Sequence, residues 1–457
     1  MPGALLQLVS VGKEDVYLVG NPQFSYFSKR FRQHTNFSME DIPLYFAGKP
    51  DFGQHLQITV PIHGDLLSNL TLQLEIPALP YTSDTSNIWN GVGYSNSLGH
   101  ALIEDVYLEI NDEIIDRFGG DWLEIYSELF IPESKQLCYR NMIAKQSNNY
   151  YTSVGFLQSD QINGQNVFFI DGEGCNLYVP LPFWFTRDIA QSIPMVALQN
   201  TSVKLTVKLR PLEQVLTRMS YEATTAPLSD DIAANIQDIQ TVLRGIKMRS
   251  ASLIAEYIYL DADERRLFSS KPHEYLIENV QYIRDLPLAA GQTDITFKLP
   301  FNRPVKEVFW VCQRQDSRVY NEHFNWSHRL LSEQLRVKPS FPIDKVMVKL
   351  NGIQRYEQPF SQKFFNYLVP YLHNIRCPNN FIFCMSFALF PQQHQPSGTL
   401  NCSRITDFDV IVKMLDPRYG PISLNSPRSH GWFFNFYATG YNVLRINSGT
   451  SKLVYFN

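Results

Sequence analysis

The chain has 457 residues, of which 44% are hydrophobic, 13% aromatic and only 18% charged, and its formal net charge is −4. That length holds two domains of roughly 200 residues, and a small acidic balance argues against a general nucleic-acid binder, which needs a basic surplus or patch. No apolar run approaches the ~20 residues that span a bilayer, and Met1–Asp15 lacks the basic-then-apolar order of a secretory signal, so a secretory route is not indicated.

Met1–Phe37 opens with a short apolar stretch and a turn signal at Gly20–Pro22. It then interleaves Lys29, Arg30 and Arg32 with Tyr26, Phe27 and Phe31, a pattern suited to docking on a neighbour, a membrane surface or a polyanion. The same cations would equally suit an edge strand that discourages stray pairing. Leu56–Ile76 reads as two strands broken by Pro61 and Gly64, and Pro80–Gly99 as a long loop. Ile103–Asn111 and Glu113–Phe118 read as paired strands. In Asp121–Leu129 the apolar residues Trp122, Ile125, Tyr126 and Leu129 fall at i, i+3, i+4 and i+7, which predicts a short helix.

Asn148–Gly174 is a second long loop, and Cys175–Phe185 and Ser202–Leu209 are expected to close the first half as strands. Arg210–Ser229 loses periodicity and Asp230–Leu243 regains a helical one, so this region reads as a connector. Leu253–Leu260 is expected to open the second half, followed by a capping-box helix at Asp261–Phe268. Further strands are predicted at Glu274–Tyr282, Asp294–Leu299, Glu307–Cys312, Lys345–Asn351, Phe381–Leu389, Phe408–Met414 and Phe433–Val443, with a helix-like Ser361–Leu368 between them. The expected division is an arm at 1–37, a first domain at 38–215, a connector at 216–250 and a second domain at 251–457.

An internal repeat underlies that division. Ile103–Asn111 (I-E-D-V-Y-L-E-I-N) returns 240 residues later as Ile343–Asn351 (I-D-K-V-M-V-K-L-N). Leu70, Leu72 and Leu74 return as Val308, Trp310 and Cys312, and the run ending at Val60-Pro61 returns at Leu299-Pro300. Alternate apolar residues put one strand face into a core. The chain reads as one β-domain written twice, an all-β sandwich or jelly roll in each half.

The residues offer no catalytic constellation. His55 and His63 lack the H-x-H spacing of a cupin metal site, and His323 and His328 read as loop or surface groups. Asp261, Asp263 and Glu264 fit a helix cap better than a glycosidase carboxylate pair. No nucleophile elbow, phosphate loop or dinucleotide fingerprint occurs. Neither an enzyme nor a cofactor or metal is expected. Six cysteines lie singly, Cys312 and Cys384 within apolar runs, as expected of reduced thiols. The sequons at Asn36, Asn69, Asn200, Asn325 and Asn401 read as chance.

One segment is specific. Ser386–Ile405 reads S-F-A-L-F-P-Q-Q-H-Q-P-S-G-T-L-N-C-S-R-I, and Tyr441–Ile446 reads Y-N-V-L-R-I. With Asp15–Leu18, Gly20–Gln23, Arg32–Phe37, Asp263–Arg266 and His273–Leu276, these resemble the major capsid proteins of nucleocytoplasmic large DNA viruses across essentially the whole chain. The resemblance implies two consecutive eight-stranded jelly rolls (a double jelly roll) with a few short helices in loops. It also implies homotrimeric, pseudo-hexagonal capsomers that tile an icosahedral shell over an internal membrane, made and assembled in the host cytoplasm. His394, Gln395, Pro396, Ser397 and Gly398 would then form a structural turn, with His394 and Arg404 as its hydrogen-bonding anchors. Lys29, Arg30 and Arg32 would face inward, toward minor capsid proteins or the membrane, with no direct nucleic-acid binding. The loops Pro80–Gly99, Asn148–Gly174, Gln313–Pro342 and Asp416–Gly431 would serve as tower and contact loops. The rival readings are a minor double jelly-roll capsid protein and a carbohydrate-binding β-sandwich, the latter favoured by aromatic content alone.

Overall fold

The computed structural model describes residues 3–29, 31–78, 92–145, 175–218, 245–319, 321–328, 341–415, 430–447 and 449–455. The helix expected at Asp230–Leu243 lies outside them, as do residues 79–91, 146–174, 329–340 and 416–429 of the expected loops.

The chain forms two units, Met1–Phe37 and Ser38–Asn457. The first carries the short helices Gly3–Val9 and Val16–Val19, neither of which buries a residue within this unit. Helices this short are far below the ~12 residues at which an isolated helix becomes marginally stable in water.

The second unit holds two β-sandwiches. The first comprises β1 (Phe37–Tyr45), β2 (His55–Val60), β3 (Leu66–Ile76), β4 (Ile103–Ile110), β5 (Glu113–Phe118), β6 (Cys175–Pro180), β7 (Val203–Leu209) and β8 (Ser250–Leu260). The second comprises β9 (His273–Leu288), β10 (Asp294–Lys298), β11 (Pro304–Arg314), β12 (Ile343–Leu350), β13 (Ile353–Gln354), β14 (Phe383–Ser386), β15 (Phe408–Met414) and β16 (Trp432–Asn447). The sheets of the first run β1-β8-β3-β6 and β2-β7-β4-β5; those of the second run β9-β16-β11-β14 and β10-β15-β12-β13. Each strand of the second sandwich therefore repeats the place of the strand eight earlier. Both orders are those of a jelly roll.

The sequence repeat maps onto this equivalence. Its pairs are β4 with β12, β3 with β11 and β2 with β10. Even the turns agree: Asn111 and Asp112 have φ of 58° and 59°, and Asn351 and Gly352 have 49° and 80°. Positive φ at both central residues is the hairpin geometry that matches strand twist, and Asn, Asp and Gly adopt it most readily.

One expectation is corrected. Ser250–Leu260 does not open the second half; it is the inner strand of the first sandwich, between β1 and β3, with Ile254 opposite Thr71 and Leu253 opposite Leu72. The division falls after Leu260 rather than at 251. A strand's alternation records that one face is buried but not which sheet buries it, and the long excursion after β7 hid the return. A smaller correction concerns Cys175–Phe185, whose strand ends at Pro180 because Trp184–Arg187 coils into a helical turn.

The two halves use their equivalent sheets differently. On β3, Leu70, Leu72, Leu74 and Ile76 are buried while Asn69, Thr71, Gln73 and Glu75 remain partly exposed, so only one face is covered. On β11 every residue after Pro304 is buried, so both faces are covered.

Candidate assembly interface

The cover over β11 is α1 (Gly120–Leu129), which follows the β4–β5 hairpin. Its sequence D-W-L-E-I-Y-S-E-L is apolar on two sides. Ile125 and Leu129 are buried in the core of their own sandwich, and Trp122 reaches the second sandwich. The Trp122 ring lies 5.6 Å from Phe309 and 5.8 Å from Tyr437, stacked on the latter. Phe130 follows at 6.0 Å from Phe309. The Tyr437 hydroxyl and Asn435 Nδ2 both donate to Asp121 Oδ2, at 3.3 and 3.4 Å.

Charges interrupt the apolar faces of α1 at Glu124 and Glu128. Both are buried, with Lys145 Nζ donating to each at 2.5 and 2.6 Å and His100 Nδ1 donating to Glu124 at 2.7 Å. From the second sandwich, Arg376 lies 3.5 Å from Glu128 and 2.7 Å from Glu133, and the Asn379 amide donates to Glu128 at 2.9 Å. Burial pushes the Glu124 carboxyl up, but Lys145 and His100 outweigh it and hold it down at about 2. Buried charge survives only when paired in this way.

A second buried network lies beside it. Glu278 on β9 accepts from Lys306 on β11 at 2.6 Å and from Arg187 of the first sandwich at 2.8 Å. Arg187 also stands over the Tyr126 ring, 5.2 Å from its centre. The next residue, Glu307, accepts from Asn374 at 3.0 Å through one oxygen, while its other oxygen has no partner among the described residues. Burial raises its carboxyl to about 8. A cavity of about 330 Å³ adjoins this network, bordered by Arg187, Glu278, Lys306 and His394.

The histidines near 323 require a correction. His328 is buried, and His323 donates to the Gln214 carbonyl at 2.6 Å, tying the second sandwich to the first. The adjacent Asn321 donates to the carbonyls of Glu213 and Leu216, both at 2.7 Å. Among the described residues, no three His, Cys, Asp or Glu side chains are placed to hold a metal ion.

The turn segment at 386–405 is held chiefly by its small residues. Ser397 Oγ accepts from the Phe390 amide at 2.8 Å. Gly398 has φ +140°, and a Cβ there would stand 2.8 Å from the Phe387 carbonyl oxygen. His394 leans on the first sandwich: it accepts from Gln191 at 3.0 Å and lies 3.9 Å from Asp188. Gln395, Pro396 and Arg404 are exposed. Arg404 makes no hydrogen bond or ion pair among the described residues, so the turn stands without it. A residue not anticipated, Gln392, bridges the halves by donating to the Leu129 carbonyl at 3.1 Å and accepting from the Ile375 amide at 2.6 Å.

In the arm, Lys29 and Arg32 are exposed, Lys29 Nζ lying 5.4 Å from the centre of the Phe31 ring. Arg30 lies outside the described residues. Large apolar residues of this unit are exposed throughout, among them Leu8, Tyr17, Leu18, Tyr26 and Phe27.

The sequence signals for the buried charges were present but faint. Glu124 and Glu128 sit four apart within an apolar helix, and Lys306-Glu307 stands at the head of the strand expected over Glu307–Cys312 but inside the observed strand Pro304–Arg314. Such charges ordinarily mark a solvated face, and only the partner sandwich reveals that here they do not.

Two sandwiches of one strand order, joined face to helix within a single chain, define a double jelly-roll protein. The family described as "Major capsid protein N-terminus" matches residues 25–261, and that described as "Large eukaryotic DNA virus major capsid protein" matches residues 264–451. The break between them follows directly after β8, in agreement with the sheet pairing. The chain belongs to the major capsid proteins of large eukaryotic DNA viruses, and it is a structural component of the virion capsid. It is similar to the major capsid protein of Pyramimonas orientalis virus, with 30% identity over 480 residues and all of both chains covered. The major capsid protein of Phaeocystis pouchetii virus is 28% identical over 547 residues, again with both chains fully covered. Among solved structures, PBCV-1 VP54 superposes with a TM-score of 0.73 at 25% identity, covering 95% of this chain and 100% of that one.

Proposed function

We propose that three copies of this chain assemble into a pseudo-hexagonal capsomer, and that such capsomers tile the icosahedral shell. The observation that carries this reading is the shared strand order of the two sandwiches. Two similar walls per chain, taken three times, present six similar sides, and a near-hexagonal block packs edge to edge. Function then resides in interfaces repeated many times rather than in an active site. The turn at His394–Gly398, with Gln395, Pro396 and Ser397 within it, serves as structure, seating the chain against the first sandwich. The working division is an arm at 1–37, a first jelly roll at 38–215 completed by β8, a connector at 216–250 leading into β8, and a second jelly roll after residue 260. The aromatic and basic arm, with Lys29, Arg30 and Arg32, faces inward to minor capsid proteins or the internal membrane. Direct binding of nucleic acid plays no part, and assembly takes place in the host cytoplasm.

Light scattering on the purified protein tests the trimer. The expected result is one species near three times the 52.8 kDa chain mass, stable on dilution. A clean monomer at every concentration would remove the reading.

A further inference from the structure

The equivalence of the two sandwiches leaves one surface unmatched. In the first, the helix after the β4–β5 hairpin is α1, and it is covered because its outward face lies on β11 and β16. In the second, the helix after the β12–β13 hairpin is Phe364–Leu368 continued by Val369–His373. Its inward residues behave as those of α1 do: Phe365 and Val369 are buried, Phe365 lying 5.2 Å from Trp310. Its outward residues are exposed among the described residues, Tyr367 alone meeting another ring, the edge of Phe341. Tyr371 is 75% exposed and Leu372 57%, with Tyr367 and Ile375 beside them. His373 donates to the Leu389 carbonyl at 3.1 Å, which brings the equally exposed Leu389 and Phe390 into the same patch. Six large apolar side chains grouped on one surface mark a docking site.

The other half of the joint is unmatched too. What α1 covers on the second sandwich is the cross-strand pair Phe309–Tyr437, both fully buried. The counterpart of Phe309, 238 residues earlier, is Thr71, whose cross-strand partner is Ile254. Both remain partly exposed, on the outer face of β3 and β8. Each chain thus carries one internal helix-on-sheet joint, one uncovered helix face and one uncovered sheet face of the matching kind.

We propose that the Phe364–His373 face of one copy docks on the outer face of β3 and β8 of a second copy, centred on Ile254, repeating the joint inside the chain. The inference rests on the trimer reading. A head-to-tail contact of this kind closes into a ring when each step turns by one third, so internal and intermolecular joints alternate around six positions. The receiving face differs from its internal counterpart in being polar around Ile254, with Thr71, Gln73 and Glu256. That suits partners which fold separately before they meet, since an apolar centre with a polar rim stays soluble until covered.

Tyr371→Asp and Leu372→Asp test this, with Leu137→Asp, an exposed apolar residue of the Glu133–Met142 helix, as control. All are read by sedimentation and circular dichroism across a dilution series. The expected outcome is that Tyr371→Asp and Leu372→Asp raise the concentration of half-dissociation by roughly thirtyfold or more, as loss of an interface anchor does. The control should remain trimeric, and every variant folded. Trimers undisturbed by either substitution would overturn the inference while leaving the trimer itself intact. A monomeric parent protein would instead overturn the trimer reading, and this inference with it. Should the aspartates misfold, Leu372→Cys with Ile254→Cys decides, in a background where the exposed Cys138 and Cys377 are serine. Oxidation is expected to link chains up to three and no further, and absence of linked chains would overturn the contact.

Discussion

At the scale of single residues, the joint between the sandwiches is held by ionisable groups buried in it. Glu307 shows the cost most plainly, because one of its oxygens has no partner among the described residues and its carboxyl is raised from 4.5 to about 8. A carboxyl raised on folding is neutral in both states below 4.5. Between 4.5 and 8 the unfolded chain loses its proton while the folded chain keeps it. Stability from this residue therefore falls as pH rises through that window and is level above it. Glu307→Gln keeps the oxygen that accepts from Asn374 and removes the titration. Its unfolding midpoint in urea, compared with that of the parent, is expected to gain steadily from pH 4.5 to 8. A gap that stays constant with pH would show that Glu307 is ionised in the folded protein. Glu124 has the opposite sign: held at about 2, it adds stability above its ordinary 4.5 that is lost only as pH falls below that value. None of this was readable from the residues alone. Glu307 in V-K-E-V-F-W-V looks like a strand's solvated face until both faces of β11 are seen to be buried, with Asn374 against its carboxyl. Cys312 and Cys384 were readable, because a thiol among apolar neighbours needs no partner to be buried, and both are.

At the scale of elements, α1 is the piece that makes two sandwiches into one body. Its helical spacing was legible because one apolar face must pack on its own sandwich. Its second apolar face was also in the sequence, as Trp122 and Tyr126, but periodicity does not say which neighbour each face meets. Trp122→Ala would empty the space over the Phe309–Tyr437 pair, at a cost of about 3–5 kcal/mol for a buried Trp. The expected signature is a splitting of the thermal transition, with the sandwiches melting apart at separate temperatures. A single transition, merely lowered, would mean that the charge networks suffice to couple them. The strand equivalences β2, β3 and β4 with β10, β11 and β12 were legible because each repeats both its alternation and its turn chemistry. The placement of β8 was not. Pairing across 183 residues, as between Ile254 and Thr71, leaves no mark in the local pattern of either strand.

At the scale of the whole molecule, the strand order bears on how the chain comes into being during synthesis. In each sandwich the last of the eight strands to be made is an inner strand of its sheet: β8 lies between β1 and β3, and β16 between β9 and β11, with only the short strand Thr450–Leu453 added to β16 afterwards. A nascent chain that has emerged only through β7 therefore holds β1 unpaired, with the hydrogen-bonding edge of β3 open, and such edges invite stray pairing. A fragment of residues 38–249 is expected to aggregate, whereas 38–261, which includes the whole returning strand Ser250–Leu260, should remain dispersed at the same concentration. Equal solubility of the two would mean that the sheet tolerates the gap. The same order applies again downstream. Tyr437, against which Trp122 stacks, belongs to β16, so the joint cannot form until the second sandwich has received its final strand. Until then the ribosome carries one closed sandwich and one half-closed one, and a cell making this chain in quantity has to shelter the open edges of different chains from one another.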